Sequence, residues 1–242
     1  MEFDSSLFWD ALTSPALAKG ALIALGLAVM SQVLAIVLGF GVMLAYRSPT
    51  RLFSIGGRAY VWFFRAIPIL LVLILVWNAL PQVFPVFRGS WFSPFLAAML
   101  ALTIVEAAYM SEILRSALAS VDEGQSLAAR ALGMTPRQVM RRVLIPQMVR
   151  VAIPPTGNEF ITMLKGTTLA SVISLQELLA AANVGVSVTF GYAEYYGAAT
   201  VYYLVLVSLL MVAQSRLERR YRWKSSPRKS LKPAPSLAGV AS

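Results

Sequence analysis

The stretch SVDEGQSLAARALGMTPRQVMRRVLIPQ, residues 120–147, determines how the fold of this chain is interpreted. It lies between long apolar segments and yet carries four arginines. It is too polar to cross a bilayer, because a hydrocarbon core about 30 Å thick requires roughly 20 mostly apolar residues in a helix. We therefore expect a basic element that stays outside the membrane and is held at both ends by membrane-spanning helices.

Two helix starts follow one another within this stretch. Ser120 with Glu123, and Thr135 with Gln138, have the spacing of a capping box, in which side-chain and backbone groups three residues apart bond to each other. A glycine lies between them, where many helices end in a left-handed residue. The pattern predicts one helix over residues 121–132 and a second that begins just after Thr135 and continues into the next apolar segment.

The first of these predicted helices has a small apolar face. Leu127, Ala128, Ala131 and Leu132 lie on one side of it at helical spacing, and two of the four are alanines. Small side chains allow another protein to approach the helix backbone closely. We therefore expect this face to contact a partner.

The composition of the whole chain is that of a membrane protein. Of its 242 residues 58% are hydrophobic and only 13% are charged, and the mean hydropathy is +0.69. A soluble domain of this size cannot bury so much apolar surface. Segments long enough to span a bilayer recur at residues 17–46, 60–80, 92–114, 147–164 and 196–215. We predict an all-α integral membrane protein with five transmembrane helices.

The basic residues are distributed unevenly between the predicted loops. With the amino terminus outside, 18 of the 21 lysines and arginines lie on the inner side, as the positive-inside rule requires. This predicts a cytoplasmic carboxyl terminus and contacts between arginines and anionic membrane lipid. Residues 1–222 then form the membrane domain, with the polar loop at about 120–146. Residues 223–242 are expected to be a disordered cytoplasmic tail. A short helix is expected over residues 175–182, and an outer loop is expected after it.

Cysteine and histidine are absent from the sequence. Their absence excludes disulfides, thiol nucleophiles, imidazole bases and every metal site built on Cys or His. The chain also lacks the GxxxxGK(S/T) phosphate-binding loop, so we expect any ATP to be bound by a partner. The sequence therefore predicts no catalytic residue, no metal site and no cofactor in this chain.

The polar stretch resembles the EAA loop of ABC importer permeases. That pattern is EAA, three residues, Gly, nine residues, Ile, any residue and Leu-Pro. Here residues 127–129 are LAA, Gly133 follows, and residues 143–146 are VLIP at the same spacing. The identities agree at Ala128, Ala129, Gly133 and Pro146. Leu127 stands where a glutamate is usual, so an ionic contact made by that glutamate has no counterpart here.

A longer part of the chain, residues 17–221, is similar to the polar amino-acid uptake subfamily of these permeases. The segment FRAIP at residues 64–68 resembles the more usual FRGTP. The segments EAAYMSEILRSALASVDEGQ at 106–125 and NEFITMLKGTTLASVISLQELL at 158–179 flank the loop as in that subfamily. Gly166 stands where an aspartate is common. The resemblance points to the family without identifying the substrate.

The resemblance implies a type I ABC importer permease that translocates a polar amino acid or an opine-like analogue. In this family the EAA loop forms a coupling helix that docks on a cytoplasmic ATPase subunit, where ATP and Mg²⁺ are bound. The other implied partners are a second permease, a copy or a paralogue, and a solute-binding protein outside a bacterial inner membrane. The residues expected to transmit the motion are Gly124, Leu127, Ala128, Ala129, Ala131, Gly133 and Pro146.

Charged side chains within the predicted spans are the candidates for substrate contact. Glu106 and Glu159 lie before and after the polar stretch, and at 1.5 Å per residue both are roughly 18 to 21 Å from the inner side. A cavity shared by these carboxylates could bind an ammonium group, although each could instead pair with Arg65 or Lys165. Arg65 could bind a substrate carboxylate, but we favour an anchor at the inner headgroups. Glu112 is expected to hold the loop.

Three other interpretations fit parts of the sequence. Ala129, Gly133 and Val139 match a DNA-reading helix-turn-helix, but spans at both ends leave no third helix, so we expect no nucleic-acid partner. An ion-coupled secondary transporter would use membrane carboxylates such as the two glutamates above and Glu177, but it does not explain a capped docking helix. A helix lying on anionic lipid accounts for the arginines but not for the EAA spacing.

Overall fold

The computed structural model describes residues 3–221, and within this range every regular element is a helix. Short 3-10 and π turns join some of the α-helices. The α-helices are α1 (Ser5–Leu12), α2 (Pro15–Tyr46), α3 (Arg51–Ala66), α4 (Ile69–Ile74), α5 (Leu80–Val83), α6 (Pro94–Ala119), α7 (Glu123–Ala131), α8 (Pro136–Val139), α9 (Ile145–Gly166), α10 (Leu178–Thr189) and α11 (Tyr192–Tyr221).

Three of these helices, α2, α6 and α11, are long and apolar enough to cross a membrane unaided. Two bent pairs of helices meet the same test, Arg51–Ala66 with Ile69–Val83 and Pro136–Ile173 with Leu178–Thr189. Five spans result when each bent pair counts as one, and each overlaps one of the five apolar segments of the sequence. The all-α fold predicted from the sequence is therefore confirmed for the described residues.

The second span differs from the single helix predicted over residues 60–80. Helix α3 ends at Ala66, α4 begins at Ile69, and the two are bent by 102°. The cause is Pro68, which has no amide to donate and disfavours a helical conformation in the residue before it. Ile67 accordingly adopts an extended backbone with φ −88° and ψ 133°. The bend places the FRAIP segment at a break inside the bundle.

Helices α2 and α6 form the centre of the bundle and approach each other through small residues. Ala35 and Ala107 are fully buried between them. A Cβ atom added to Gly39 would lie 2.7 Å from Cβ of Met110 and 2.8 Å from the carbonyl oxygen of Ala107. Small residues at helix contacts are typical of membrane bundles, because they let backbones approach closely and increase van der Waals contact.

The polar stretch forms two helices, as predicted, with one correction to its first cap. The Thr135 capping box is confirmed: Gln138 N donates to Thr135 Oγ1 and Thr135 N donates to Gln138 Oε1. The first helix begins at Glu123 and is capped by Asp122, whose side chain accepts a hydrogen bond from the Gly124 amide. The predicted cap, Ser120, instead ends α6, which continues to Ala119.

Gly133 separates the two helices with a left-handed backbone, φ +78°, which confirms the turn expected there. The short helix predicted over residues 175–182 is instead α10, which begins later, at Leu178, and extends to Thr189. It starts there because the Glu177 side chain accepts hydrogen bonds from two of its first amides. The tail predicted over residues 223–242 lies outside the described residues.

Candidate functional site

A cavity of about 590 Å³ lies at the break of the second span. Three elements supply its lining residues: the break itself, α6 and α9. They include Arg65 and Pro68 from the break, Glu106 and Tyr109 from α6, and Glu159 and Thr162 from α9. The three residues proposed from the sequence for substrate contact, Arg65, Glu106 and Glu159, therefore line one cavity. They come from three different elements, so the cavity depends on the packing of the whole bundle.

Glu106 is the most buried of the three, with 8% of its surface exposed. Its Oε1 atom has no hydrogen-bond partner among the described residues, and neither has the hydroxyl of Thr103, three residues earlier on α6. Buried polar atoms are nearly always satisfied by protein, water or ligand, because an unpaired one costs free energy. Glu106 lines the cavity, so a cation or hydrogen-bond donor that reached it from the cavity would satisfy this carboxylate.

Arg65, for which we favoured an anchor at the inner headgroups, lines the cavity. Its guanidinium lies over the ring of Tyr109, 5.4 Å from the centroid, at a distance typical of cation–π contacts. Arg65 and Glu159 line the same cavity, but they form no ion pair within 4.0 Å among the described residues. The guanidinium thus remains able to bind a carboxylate that enters the cavity.

Glu112, expected to hold the polar loop, has a different partner. It forms a two-pronged ion pair with Arg115 on its own helix, with Nη2 of Arg115 2.8 Å and Nε 3.1 Å from its two oxygens. No hydrogen bond joins Glu112 to residues 120–147 within the described part of the chain. The loop is instead tied to the fourth span by Gln147, whose Nε2 donates to Gln125 Oε1 at 3.4 Å.

The residues expected to transmit motion are placed by α7 and the turn that follows it. Leu127 is 67% exposed and Leu132 84% exposed, and the intervening Ala128 and Ala131 are exposed as well. These four residues, which we call the α7 face, form an apolar surface that nothing in the described chain covers. Their exposure agrees with the face expected from helical spacing.

Ala129, Gly124 and Pro146 occupy different positions from the α7 face. Ala129, which was expected to transmit the motion, is 5% exposed and turns toward its own chain. It therefore does not belong to the exposed α7 face. Gly124 is exposed in the first turn of α7, and its amide donates to Asp122. Pro146 is exposed at the start of α9, which continues directly from the preceding π turn.

Two features of the cavity were missed by sequence reasoning. Tyr109, which contacts Arg65, lies three residues after Glu106 and so near it on α6, a spacing that could have indicated it. The second feature is the break at Pro68, which a proline within an apolar segment indicates. Within residues 3–221, no group of three or more acidic side chains lies close enough to hold a metal ion.

This chain is similar to known transport proteins over most of its length. Residues 37–223 match the family described as "Binding-protein-dependent transport system inner membrane component". The chain is 36% identical over 217 residues to the probable amino-acid permease protein YxeN of Bacillus subtilis (strain 168), covering 89% of this chain and 96% of that protein. It is 38% identical over 211 residues to the octopine transport system permease protein OccM of Rhizobium radiobacter, covering 85% of each.

Solved structures show the same fold. An amino acid ABC transporter crystallised with histidines superposes with a TM-score of 0.79 at 33% identity, covering 91% of this chain and 99% of that one. The inward-facing methionine ABC transporter MetNI, in its CY5 native crystal form, gives a TM-score of 0.71 at 22% identity, covering 91% and 100%. The second likeness concerns the fold alone. On these matches, this chain belongs to the family of binding-protein-dependent transport system inner membrane components.

Proposed function

We propose that this chain is the permease subunit of an ABC importer that translocates a polar amino acid or an opine-like analogue. The observation that carries the proposal is the convergence of Arg65, Glu106 and Glu159 on one cavity. An α-amino acid carries an ammonium and a carboxylate. The two glutamates can accept hydrogen bonds from the ammonium, and the Arg65 guanidinium can donate to the carboxylate. The names of the relatives YxeN and OccM agree with this substrate class.

The chain is a transport component, and ATP is hydrolysed by a separate subunit. In the proposed assembly, cytoplasmic ATPase subunits bind ATP and Mg²⁺ and grip the α7 face, with Gly133 turning the chain back toward the fourth span. A second permease, a copy or a paralogue, completes the pathway, and a solute-binding protein delivers substrate from outside. The amino terminus lies outside the bacterial inner membrane and the carboxyl terminus inside, as the distribution of basic residues supports.

The proposal is tested by transport into proteoliposomes that contain the permease with its ATPase subunits and binding protein. We expect substrate uptake to depend on ATP and Glu159→Gln to reduce it, because Gln cannot supply a charge to the ammonium. Asp10→Asn is the matched control, since Asp10 is an exposed carboxylate outside the cavity. Uptake without the ATPase would favour an ion-coupled transporter, and equal uptake by both variants would remove Glu159 from the site.

A further inference from the structure

Helix α9 connects the polar loop with the cavity. Near its start the Gln147 side chain bonds to α7 at 3.4 Å, and about three to four turns later Glu159 and Thr162 line the cavity. Two consecutive prolines, Pro154 and Pro155, lie between these ends. Neither has an amide, so neither can donate the helical hydrogen bond to the carbonyl four residues earlier. The helix is therefore weakest between the part that contacts the loop and the part that lines the cavity.

Gln214, on α11, binds α9 directly at this weak point. Its Nε2 donates to the carbonyl oxygen of Pro154 at 3.2 Å and to Oδ1 of Asn158 at 3.1 Å. The same nitrogen lies 2.8 Å from Oε1 of Glu218 on its own helix, so two amide hydrogens are shared among three acceptors. The helices approach closely here, since a Cβ atom added to Gly157 would lie 2.5 Å from Cδ of Gln214. Gln214 thus ties α11 to the turn of α9 that follows the first proline.

The hydrogen bonds continue from Gln214 to the cavity wall. The carbonyl oxygen of Asn158 accepts a hydrogen bond from the Thr162 hydroxyl at 3.1 Å, and Glu159 follows Asn158 in the sequence. Both Thr162 and Glu159 line the cavity. The position of this wall relative to α11 therefore depends on the contacts that Gln214 makes.

Helix α11 runs beside α9 on both sides of the prolines. The two helices line a second cavity, of about 580 Å³, from Val149 to Ile161 on α9 and from Leu210 to Leu217 on α11. Atoms that border an open space have no van der Waals partners on that side, so packing here is less close than in a filled core. The hydrogen bonds of Gln214 lie in the middle of this stretch, where they compensate for the missing packing.

We propose that Gln214 is a positioning residue for transport: it fixes α11 beside α9 and so keeps α9 from bending at Pro154 and Pro155. With α9 held straight in this way, a movement of the polar loop is carried along the helix to Glu159 and Thr162 on the cavity wall. Without the contact, bending at the prolines absorbs the movement, and ATP is hydrolysed with less substrate moved. The inference rests on the proposed function in one respect, that movement of the loop drives uptake.

The test measures the amount of substrate taken up per ATP hydrolysed, in proteoliposomes that contain the permease, its ATPase subunits and the binding protein. Leu has about the size of Gln but cannot donate a hydrogen bond. In Gln214→Leu we expect the ratio to fall about threefold or more, the effect of one hydrogen bond between membrane helices, while the ATPase rate is kept. Glu218→Gln retains an accepting oxygen on α11, so it should leave the ratio unchanged. An unchanged ratio in Gln214→Leu would overturn the proposal.

A double-mutant cycle shows whether Gln214 acts through its contact with α9. Asn158→Leu removes one acceptor on α9 and should lower the ratio in the same direction. The double variant should be no worse than Gln214→Leu alone, because effects that pass through one contact do not add. Additive losses would mean that the two substitutions cause independent damage, and the proposed role of the contact would be wrong.

Hydrogen–deuterium exchange of the same complexes, without ATP or substrate, checks the position of α9 directly. In Gln214→Leu the amides of residues 156–166 should exchange faster, because local opening costs less free energy there, whereas those of α6 should not change. Equal acceleration in α6 and α9 would indicate general destabilisation and would contradict the assignment. Acceleration confined to residues 156–166, with no ATP-dependent uptake by the unaltered protein, would leave Gln214 assigned and the proposed function wrong.

Discussion

Glu177 shows how a buried carboxylate in the membrane domain can serve structure instead of transport. It is fully buried, and its oxygens accept hydrogen bonds from the amides of Leu179 and Ala180, at 3.0 and 2.8 Å, and from the Tyr203 hydroxyl at 3.3 Å. Glu177→Ala removes the cap of α10 and leaves three donors unpaired. We expect a loss of at least ~1–2 kcal/mol in the free energy of unfolding, measured by thermal unfolding in detergent.

Glu177→Gln is the matched variant, because it keeps one accepting oxygen while removing the charge. It should lose less stability than Glu177→Ala and transport substrate at the normal rate once folded. A carboxylate that carried protons or Na⁺ in an ion-coupled cycle would behave differently. Loss of uptake in stable Glu177→Gln protein would contradict the capping role and revive that interpretation.

Gly39 is a position where the bundle requires the absence of a side chain. Because a Cβ there would lie within 2.8 Å of the Ala107 oxygen and 2.7 Å of Met110 Cβ, Gly39→Ala must push α2 away from α6. We expect it to cost about 1–3 kcal/mol, the usual cost of overpacking. A Cβ added to Gly41, two residues later, would meet nothing within 4 Å, so Gly41→Ala should be neutral or stabilising by up to ~1 kcal/mol. Equal melting temperatures for the two variants would refute this packing.

At the scale of elements, the α7 face is the feature whose role is easiest to isolate. Leu127→Asp and Leu132→Asp place charges on exposed positions, so the chain should fold normally. If a partner buries either leucine, the substitution should reduce the binding free energy by about 1.5–3 kcal/mol. We expect co-purification of the ATPase subunits to weaken at least about tenfold. Leu52→Asp, at an equally exposed leucine on α3, is the control. Equal retention of the ATPase by all three variants would exclude the α7 face as its docking site.

Leucine variants are preferable to a change at Gly133, because its φ of +78° would strain any residue with a Cβ. A charged residue at that position would therefore test backbone strain and coupling together.

The sequence could predict the Gly133 turn, and the Thr135 capping box, since both depend on residues within one helical turn. It could not predict that α6 continues to Ala119, because this extension depends on the packing of Leu114, Ala117 and Leu118 against Met43 and Met148. The extension moves the cap of α7 from Ser120 to Asp122.

For the whole molecule, the cavity shows which long-range contacts a sequence can predict. Glu106 and Glu159 lie on α6 and α9, counting residues from the loop placed both at similar depth, and they line one cavity. Arg65 lies next to a 102° bend, where counting residues along a straight helix does not predict its position. Pro68 marks where the helix breaks, but the direction of the next segment is set by its packing against α6, which no local pattern records.

The proposed orientation of the molecule in the membrane can be tested with single thiols. Ser90 and Arg137 are both exposed and are separated along the chain by one span, α6. In cells whose outer membrane is permeabilised and whose inner membrane is intact, a maleimide that cannot cross the inner membrane should label Ser90→Cys and not Arg137→Cys. Inverted inner-membrane vesicles should give the reverse, because 18 of the 21 basic residues favour the cytoplasmic side. Labelling of Arg137→Cys from outside would place α7 beyond the reach of any cytoplasmic ATPase.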